Sequence, residues 1–348
     1  MKKLLNILKY VLLLGISGAL MWYALRGQDL SRIGTAIRTA KYFWLGVSLV
    51  LSALGYLSRA YRWQMQLDAS QTPAPFWKVY HAMMVGYLAN LVLPRAGEVI
   101  RCSVLRRTSG VPVQVSLGTV VTERVIDLIV LAGLLTATLA LDFNTFWNFA
   151  LDKLFGGQAD ALARNRTPLL LAAIAALVLL AAAGYTLFRN LERLRQNALF
   201  NKAVVFVKGL LAGVFSVLRL RNKGVFLLHT AFTWGVYYTM NYLAFLCFPE
   251  TYGLDMKAAL AVLTFGTFGM AAPVAGGIGP YHVLVQATLV IYRVSMEAGI
   301  AYALVLHGSQ TLLVVLMGGI SFVSVAAADK HTLIGEAEAL ADEPLTSE

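Results

Sequence analysis

The amino-acid sequence predicts an all-α polytopic membrane protein of about six transmembrane helices plus two broken re-entrant helical elements, in the order of an inverted repeat. Three observations predict it. Of 348 residues, 58% are hydrophobic and only 14% charged, whereas a soluble domain carries roughly 25% charged residues. Six stretches, at 4–25, 42–57, 113–141, 168–188, 224–248 and 298–328, approach or exceed the length that a bilayer demands, about 20 apolar residues. Two further apolar stretches are each cut by a cluster of Pro and Gly.

Lys2 and Lys3 precede the first stretch, which admits a signal-peptide reading. The run is too long for one, and Met21, Trp22 and Tyr23 at its far end suit an aromatic belt, so it is read as a retained span. The segment 26–41 carries Arg26, Arg32, Arg38 and Lys41 against Asp29 and is read as a short interfacial helix on the outer surface. After the second span lie Arg59, Arg62, Lys78, Arg95, Arg101, Arg106 and Arg107 against Asp68 and Glu98, a balance read as a cytoplasmic loop.

Within that region, 76–93 is apolar but halted by Pro94-Arg95-Ala96-Gly97-Glu98. The third span, 113–141, follows; 142–166 is charge-balanced, as a translocated loop would be, and 168–188 is the fourth span. Next come Arg189, Arg193, Arg195, Lys202, Lys208, Arg219, Arg221 and Lys223 against Glu192 alone, a second cytoplasmic stretch. Its part 197–221 reads as an amphipathic linker at the interface, with a seventh span as the alternative.

The fifth span, 224–248, and a short, mildly acidic external turn at 250–257 lead into 258–272. That run is stopped by Pro273-Val274-Ala275-Gly276-Gly277-Ile278-Gly279-Pro280 and resumes at 281–292. Irregular backbone at membrane depth survives only where protein or a water-filled cavity satisfies it, so both breaks are expected to line a cavity. A long span follows each break, the arrangement of an inverted repeat with discontinuous elements meeting near the midplane. The chain thus reads as one transmembrane domain, 1–328, with halves at about 1–188 and 224–328. The acidic tail 329–348 is expected to be a disordered cytoplasmic end, which places both termini inside.

Cys102 and Cys247 fall on opposite faces in this topology and predict no disulfide framework. The net charge of +11 flanks spans, which favours anionic lipid head groups over nucleic acid.

The most informative segment runs from Asn90 to Arg101. Arg95, Glu98 and Arg101 recur every three residues and on a helix make one charged stripe, in which Glu98 holds two phosphate-binding arginines in place. The competing reading is a positive loop with a structural salt bridge. Glu123, Arg124 and Asp127 lie about ten residues into an apolar run, where charges are functional by default and face a cavity. A span starting near Val125 would instead make them interfacial. In the second break, Gly276, Gly277 and Gly279 allow close backbone approach to a ligand, and the free N–H groups of the helix opened by Pro280 form an anion site. A glycine kink that merely packs helices is the alternative. His282 and His307 are buried candidates, each more often a hydrogen-bonded interior histidine than a ligand. The motifs predict no metal site and no cofactor, and neither the aspartate-rich motifs of a prenyltransferase nor a nucleophile elbow occurs.

Together, Arg59-Ala60-Tyr61-Arg62-Trp63, the segment 90–101, Glu123-Arg124-Val125-Ile126-Asp127 and Pro273-Val274-Ala275-Gly276-Gly277-Ile278-Gly279 resemble the flippase-like family typified by the transmembrane region of bacterial lysyl-phosphatidylglycerol synthase. The resemblance covers about residues 5–328. It implies movement of lipids or lipid-linked head groups across a bacterial cytoplasmic (inner) membrane. It also implies a site at Arg95, Gly97, Glu98, Arg101, Glu123, Arg124, Asp127, Gly276, Gly277 and Gly279, to which the sequence adds His282. Many relatives place a glutamate after the glycine break, where this chain has Tyr281 and His282. The aminoacyl-transferase domain of the full synthase is not expected in the short tail, so lysine transfer is not expected either. The leading expectation is a flippase for an anionic phospholipid or a polyprenyl-phosphate-linked lipid. The others are an integral membrane enzyme using Glu123, Asp127 or His282 as a general base, and a scaffold for a lipid-modifying partner.

Overall fold

The computed structural model describes the backbone of residues 2–155 and 220–341 and the side chains of 13–149 and 220–328. Among the described residues the chain is helical throughout, without strands. In order the helices are α1 (Lys2–Leu25), α2 (Leu30–Thr39), α3 (Tyr42–Ala69), α4 (Phe76–Val92), α5 (Gly97–Ser109), α6 (Val113–Leu141), α7 (Phe143–Phe155), α8 (Lys223–Phe245), α9 (Met256–Ala271), α10 (Pro280–Ile291) and α11 (Met296–Ala341). The fourth span at 168–188 and nearly all of the 197–221 linker lie outside the described residues.

Helices α3, α6 and α11 as far as Ala328 are long and apolar enough to cross a bilayer. Helix α8 has 23 residues, roughly 35 Å at 1.5 Å per residue. Its Thr230, Thr233 and Asn241 turn polar groups toward the protein interior. Their hydroxyls and amide bond back to carbonyls one turn earlier, which satisfies them without water. Helix α2 is the amphipathic element expected outside α1. Asp29 caps its first turn, Ile33 is buried, and Arg32 and Arg38 are turned away from the core.

Contacts along α3 and α8 fix their relative direction. The Lys41 N–H donates to the Cys247 carbonyl, Ser52 meets Met240, and Ser58 meets His229. Rising numbers on one helix match falling numbers on the other, so the two are antiparallel. One face of the protein therefore holds the C-terminal end of α3, and the opposite face holds its N-terminal end with the C-terminal end of α8.

Helices α4 and α5 form a hairpin that enters and leaves on the first face: Lys78, early in α4, donates through Nζ to the carbonyl of Thr108, late in α5, at 2.6 Å. Its tip is made by Pro94, which lacks an N–H and disfavours helix at the residue before it; Leu93 is accordingly extended. Helices α9 and α10 form the second hairpin. It opens on the other face, where the Tyr238 hydroxyl, near the end of α8, donates to the carbonyl of Met256. Its tip runs through a 3₁₀ turn at Ala275–Gly277, with positive φ at Gly276, Gly277 and Gly279. The tips meet: Leu91 packs on Gly276, and Arg95 donates to the carbonyl of Ala271.

Thus α3, a hairpin and α6 are followed by α8, an oppositely directed hairpin and α11, which is the inverted order read from hydropathy. The final helix departs from expectation. Its backbone stays helical past 328 to Ala341, because the acidic segment is rich in Ala, Glu and Leu, which are strong helix formers.

Candidate functional site

The site is built around charges inside helices. Arg59 and Arg62, read from sequence as loop residues, lie within α3 on its inward face, Arg62 fully buried. Glu123 stands ten residues into α6, roughly 15 Å from its start. It is buried and faces four guanidinium groups. Oε2 accepts from Arg101 Nη2 at 2.9 Å; Oε1 accepts from Arg62 and Arg124 at 3.4 Å each and, more closely, from Arg59. Asp127, one turn on, accepts from Arg62 at 3.0 Å and Arg59 at 3.5 Å. Buried charges survive only when paired, and α6 presents two carboxylates to α3 and α5 for that purpose.

The predicted stripe of Arg95, Glu98 and Arg101 is divided. Arg95 lies in the tip with φ of 64°, outside the helix, and caps the C-terminal end of α9. Glu98 and Arg101 are on α5 but pair in different directions, Glu98 with Arg124 at 3.2 Å and Arg101 with Glu123. Glu98 therefore positions Arg124 and makes no bridge between two phosphate-binding arginines. Tyr237 and Tyr87 complete the surroundings of Arg59, by a 2.9 Å hydrogen bond and a face contact at 5.7 Å, and the Trp63 ring lies 4.6 Å from the Arg101 guanidinium.

Between the hairpin tips this cluster opens into a cavity of about 190 Å³. Arg95, Gly97, Glu98, Arg101 and Arg124 line one side of it, and Gly276 and Gly277 the other. Glu123 and Asp127 stand behind the arginines. Arg59, Tyr87 and Asn90, absent from the sequence-derived site, also line it. Intramembrane arginine was the available signal for Arg59 and Arg62. Reading them as the loop after a span ending at residue 57 hid it.

The second break is divided: Gly276 and Gly277 line the cavity, and Gly279 is not among its lining residues. A Cβ on Gly277 would stand 2.5 Å from Met270 Sδ, and one on Gly279 would stand 2.8 Å from the Ser17 carbonyl oxygen. These glycines also let helices and chain approach one another closely. Gly279 and the start of α10 face α1, away from the cavity. His282 is buried there, accepting from the Gly279 N–H at 3.4 Å, its ring 5.0 Å from that of His307.

Residues 9–318 match the family described as the lysylphosphatidylglycerol synthase TM region, a match over most of the chain. The chain belongs to this family. Comparison with curated proteins and with solved structures gave no match. Membership, together with three helices apolar enough to cross a bilayer, makes the chain a multi-pass membrane domain of the kind associated with lipid head-group chemistry.

Proposed function

We propose that this domain binds an anionic lipid head group in the cavity between the hairpin tips and carries it across the membrane. The observation that supports this reading is Arg101: fully buried and lining the cavity, it has Nε and Nη1 without a hydrogen-bond partner, while only Nη2 is used by Glu123. A buried donor left unmade costs about 1–3 kcal/mol and more when charged, so a site built this way is completed by an acceptor. Phosphate oxygens suit a guanidinium best, because its N–H groups donate in parallel pairs. Placement between two oppositely directed broken hairpins is the arrangement in which secondary transporters hold their substrates.

Carrier work fits these residues better than catalysis on the lipid. Glu123 and Asp127 are each engaged by several guanidiniums and offer little free lone-pair capacity to a general base. The hairpin α4–α5 opens on the face that carries Lys78, Arg106 and Arg107, and α8 starts there after the basic stretch 189–223. By the positive-inside rule that face is cytoplasmic, as is the N-terminus, in a bacterial cytoplasmic membrane. The test is head-group translocation in proteoliposomes together with lipid retention by mass spectrometry. Wild-type protein is expected to retain an anionic lipid of unchanged mass and to translocate it. Tyr87→Phe, which deletes one donor at the cavity, should lower retention by about 1 kcal/mol, some fivefold. Folded wild-type protein that retains only zwitterionic lipid would remove this reading.

A further inference from the structure

The charge and size of the cavity narrow the chemistry of its ligand. Five guanidiniums, Arg59, Arg62, Arg95, Arg101 and Arg124, stand in or directly behind it against three carboxylates, Glu98, Glu123 and Asp127. Two positive charges are left over. A phosphodiester carries one negative charge, whereas a phosphate monoester carries about 1.5 to 2 near neutral pH, its second ionisation falling near pH 6. Only the monoester neutralises the excess, and for its buried part, at Arg59, Arg62 and Arg101, an unmatched charge is costly.

Shape agrees with charge. Arg101, Arg59 and Tyr87, which line this cavity, carry the unpartnered donors Arg101 Nε and Nη1, Arg59 Nε and the Tyr87 hydroxyl, five hydrogens in all. A monoester presents three free oxygens from one end of the molecule, so it can meet them end-on. A diester has an ester arm on each side and would have to bring the second arm into a space of about 190 Å³. That is below the roughly 300–1,000 Å³ of ordinary small-molecule sites. The other side of the cavity, at Met270, Ala272 and Val274, is apolar and suits the hydrocarbon neighbour of a terminal phosphate.

We infer that the cavity selects a lipid phosphomonoester, a hydrocarbon chain ending in a dianionic phosphate, over the phosphodiester head groups of bulk phospholipids. This rests on the anionic-lipid reading above and sharpens it to one class.

The test uses the full chain in nanodiscs of zwitterionic lipid doped with equal amounts of phosphatidic acid, a monoester, and phosphatidylglycerol, a diester, with retained lipid counted by native mass spectrometry. At pH about 8 the monoester should be enriched roughly tenfold over the diester, a modest fraction of what one added unit charge supplies at contact distance. At pH about 5, where the monoester dianion takes up one proton and becomes a monoanion, the enrichment should fall toward parity while diester binding stays level. Arg95→Gln, at an exposed position, removes one of the two excess charges and should reduce the enrichment at the higher pH. Tyr87→Phe removes a donor but no charge and should weaken both lipids while preserving their ratio. Equal retention of the two lipids at pH about 8, or a preference indifferent to pH, would overturn the inference while leaving an anionic-lipid site in place. Folded protein that retains neither lipid would overturn both. A last arm adds inorganic phosphate alone: displacement of phosphatidic acid by an equal concentration of it would overturn the assignment to a lipid.

Discussion

Glu123→Gln is expected to destabilise the protein by several kcal/mol and to remove most of its folded yield. The substitution keeps the shape of the side chain and one acceptor oxygen, but it deletes the charge that faces Arg59, Arg62, Arg101 and Arg124. Breaking a buried ion pair from one side costs about 3–5 kcal/mol, because the partner is left charged in a medium that cannot solvate it. Here four partners share the loss, with only Asp127 and Glu98 remaining. The outer pair serves as the comparison. Arg124 and Glu98 are partly exposed, at 40% and 29% of their side-chain surface, so Glu98→Gln should cost about 1 kcal/mol or less. Thermal unfolding in detergent, followed by tryptophan fluorescence, reads both. Adding Arg62→Gln to Glu123→Gln removes one of the stranded cations, and the double variant should be less destabilised than the sum of the single ones by about 0.5–3 kcal/mol. Additive losses would mean that the cluster is not electrostatically coupled.

The same cluster shows what was readable from sequence. Apolar runs and Pro-Gly interruptions are local signals, and they located α3, α6, α11 and both hairpins, because a span needs length and Pro94 cannot continue a helix. The end of α3 was misread for an equally local reason. Arg59 and Arg62 lower any hydropathy average, so the apolar run ends at residue 57, whereas the helix continues to Ala69. What makes those arginines tolerable inside is a pair of carboxylates more than 60 positions away on α6. That pairing is tertiary and leaves no mark within a local window.

Spacing misled in a second place. A period of three put Arg95, Glu98 and Arg101 on one stripe, but Pro94 ends the preceding helix and α5 begins only at Gly97, so Arg95 belongs to the tip. The glycines of the second break posed a different problem. A missing Cβ is visible in sequence, but what occupies the space beside it is not. At Gly277 the neighbour is Met270, and at Gly279 it is the backbone of α1. Gly277→Val would therefore fail first by packing and by its φ of +75°, and a loss of lipid binding in that variant would report on folding.

Gly97→Ala is the glycine substitution expected to act most strongly. Gly97 opens α5 at its crossing with α4, and its N–H donates to Asn90 Oδ1 at 2.8 Å. A Cβ there would stand 2.0 Å from the carbonyl oxygen of Gly86 and 2.6 Å from Asn90 Cγ. The first neighbour is backbone and cannot rotate away, so the two helices of the hairpin must separate. Overpacking usually costs about 1–3 kcal/mol, and a clash with fixed backbone lies at or beyond the upper end. The consequence reaches the site because Arg101 lies one turn further along α5; tilting that helix draws its guanidinium off Glu123 and out of the cavity. Gly118→Ala on α6 is the control. Nothing lies within 4 Å of its added Cβ, and alanine is the better helix former by up to about 1 kcal/mol. Melting temperature and retained anionic lipid should both fall in Gly97→Ala and both hold in Gly118→Ala. If Gly97→Ala melts like the wild type and keeps its lipid, the close crossing of α4 and α5 is not what places Arg101.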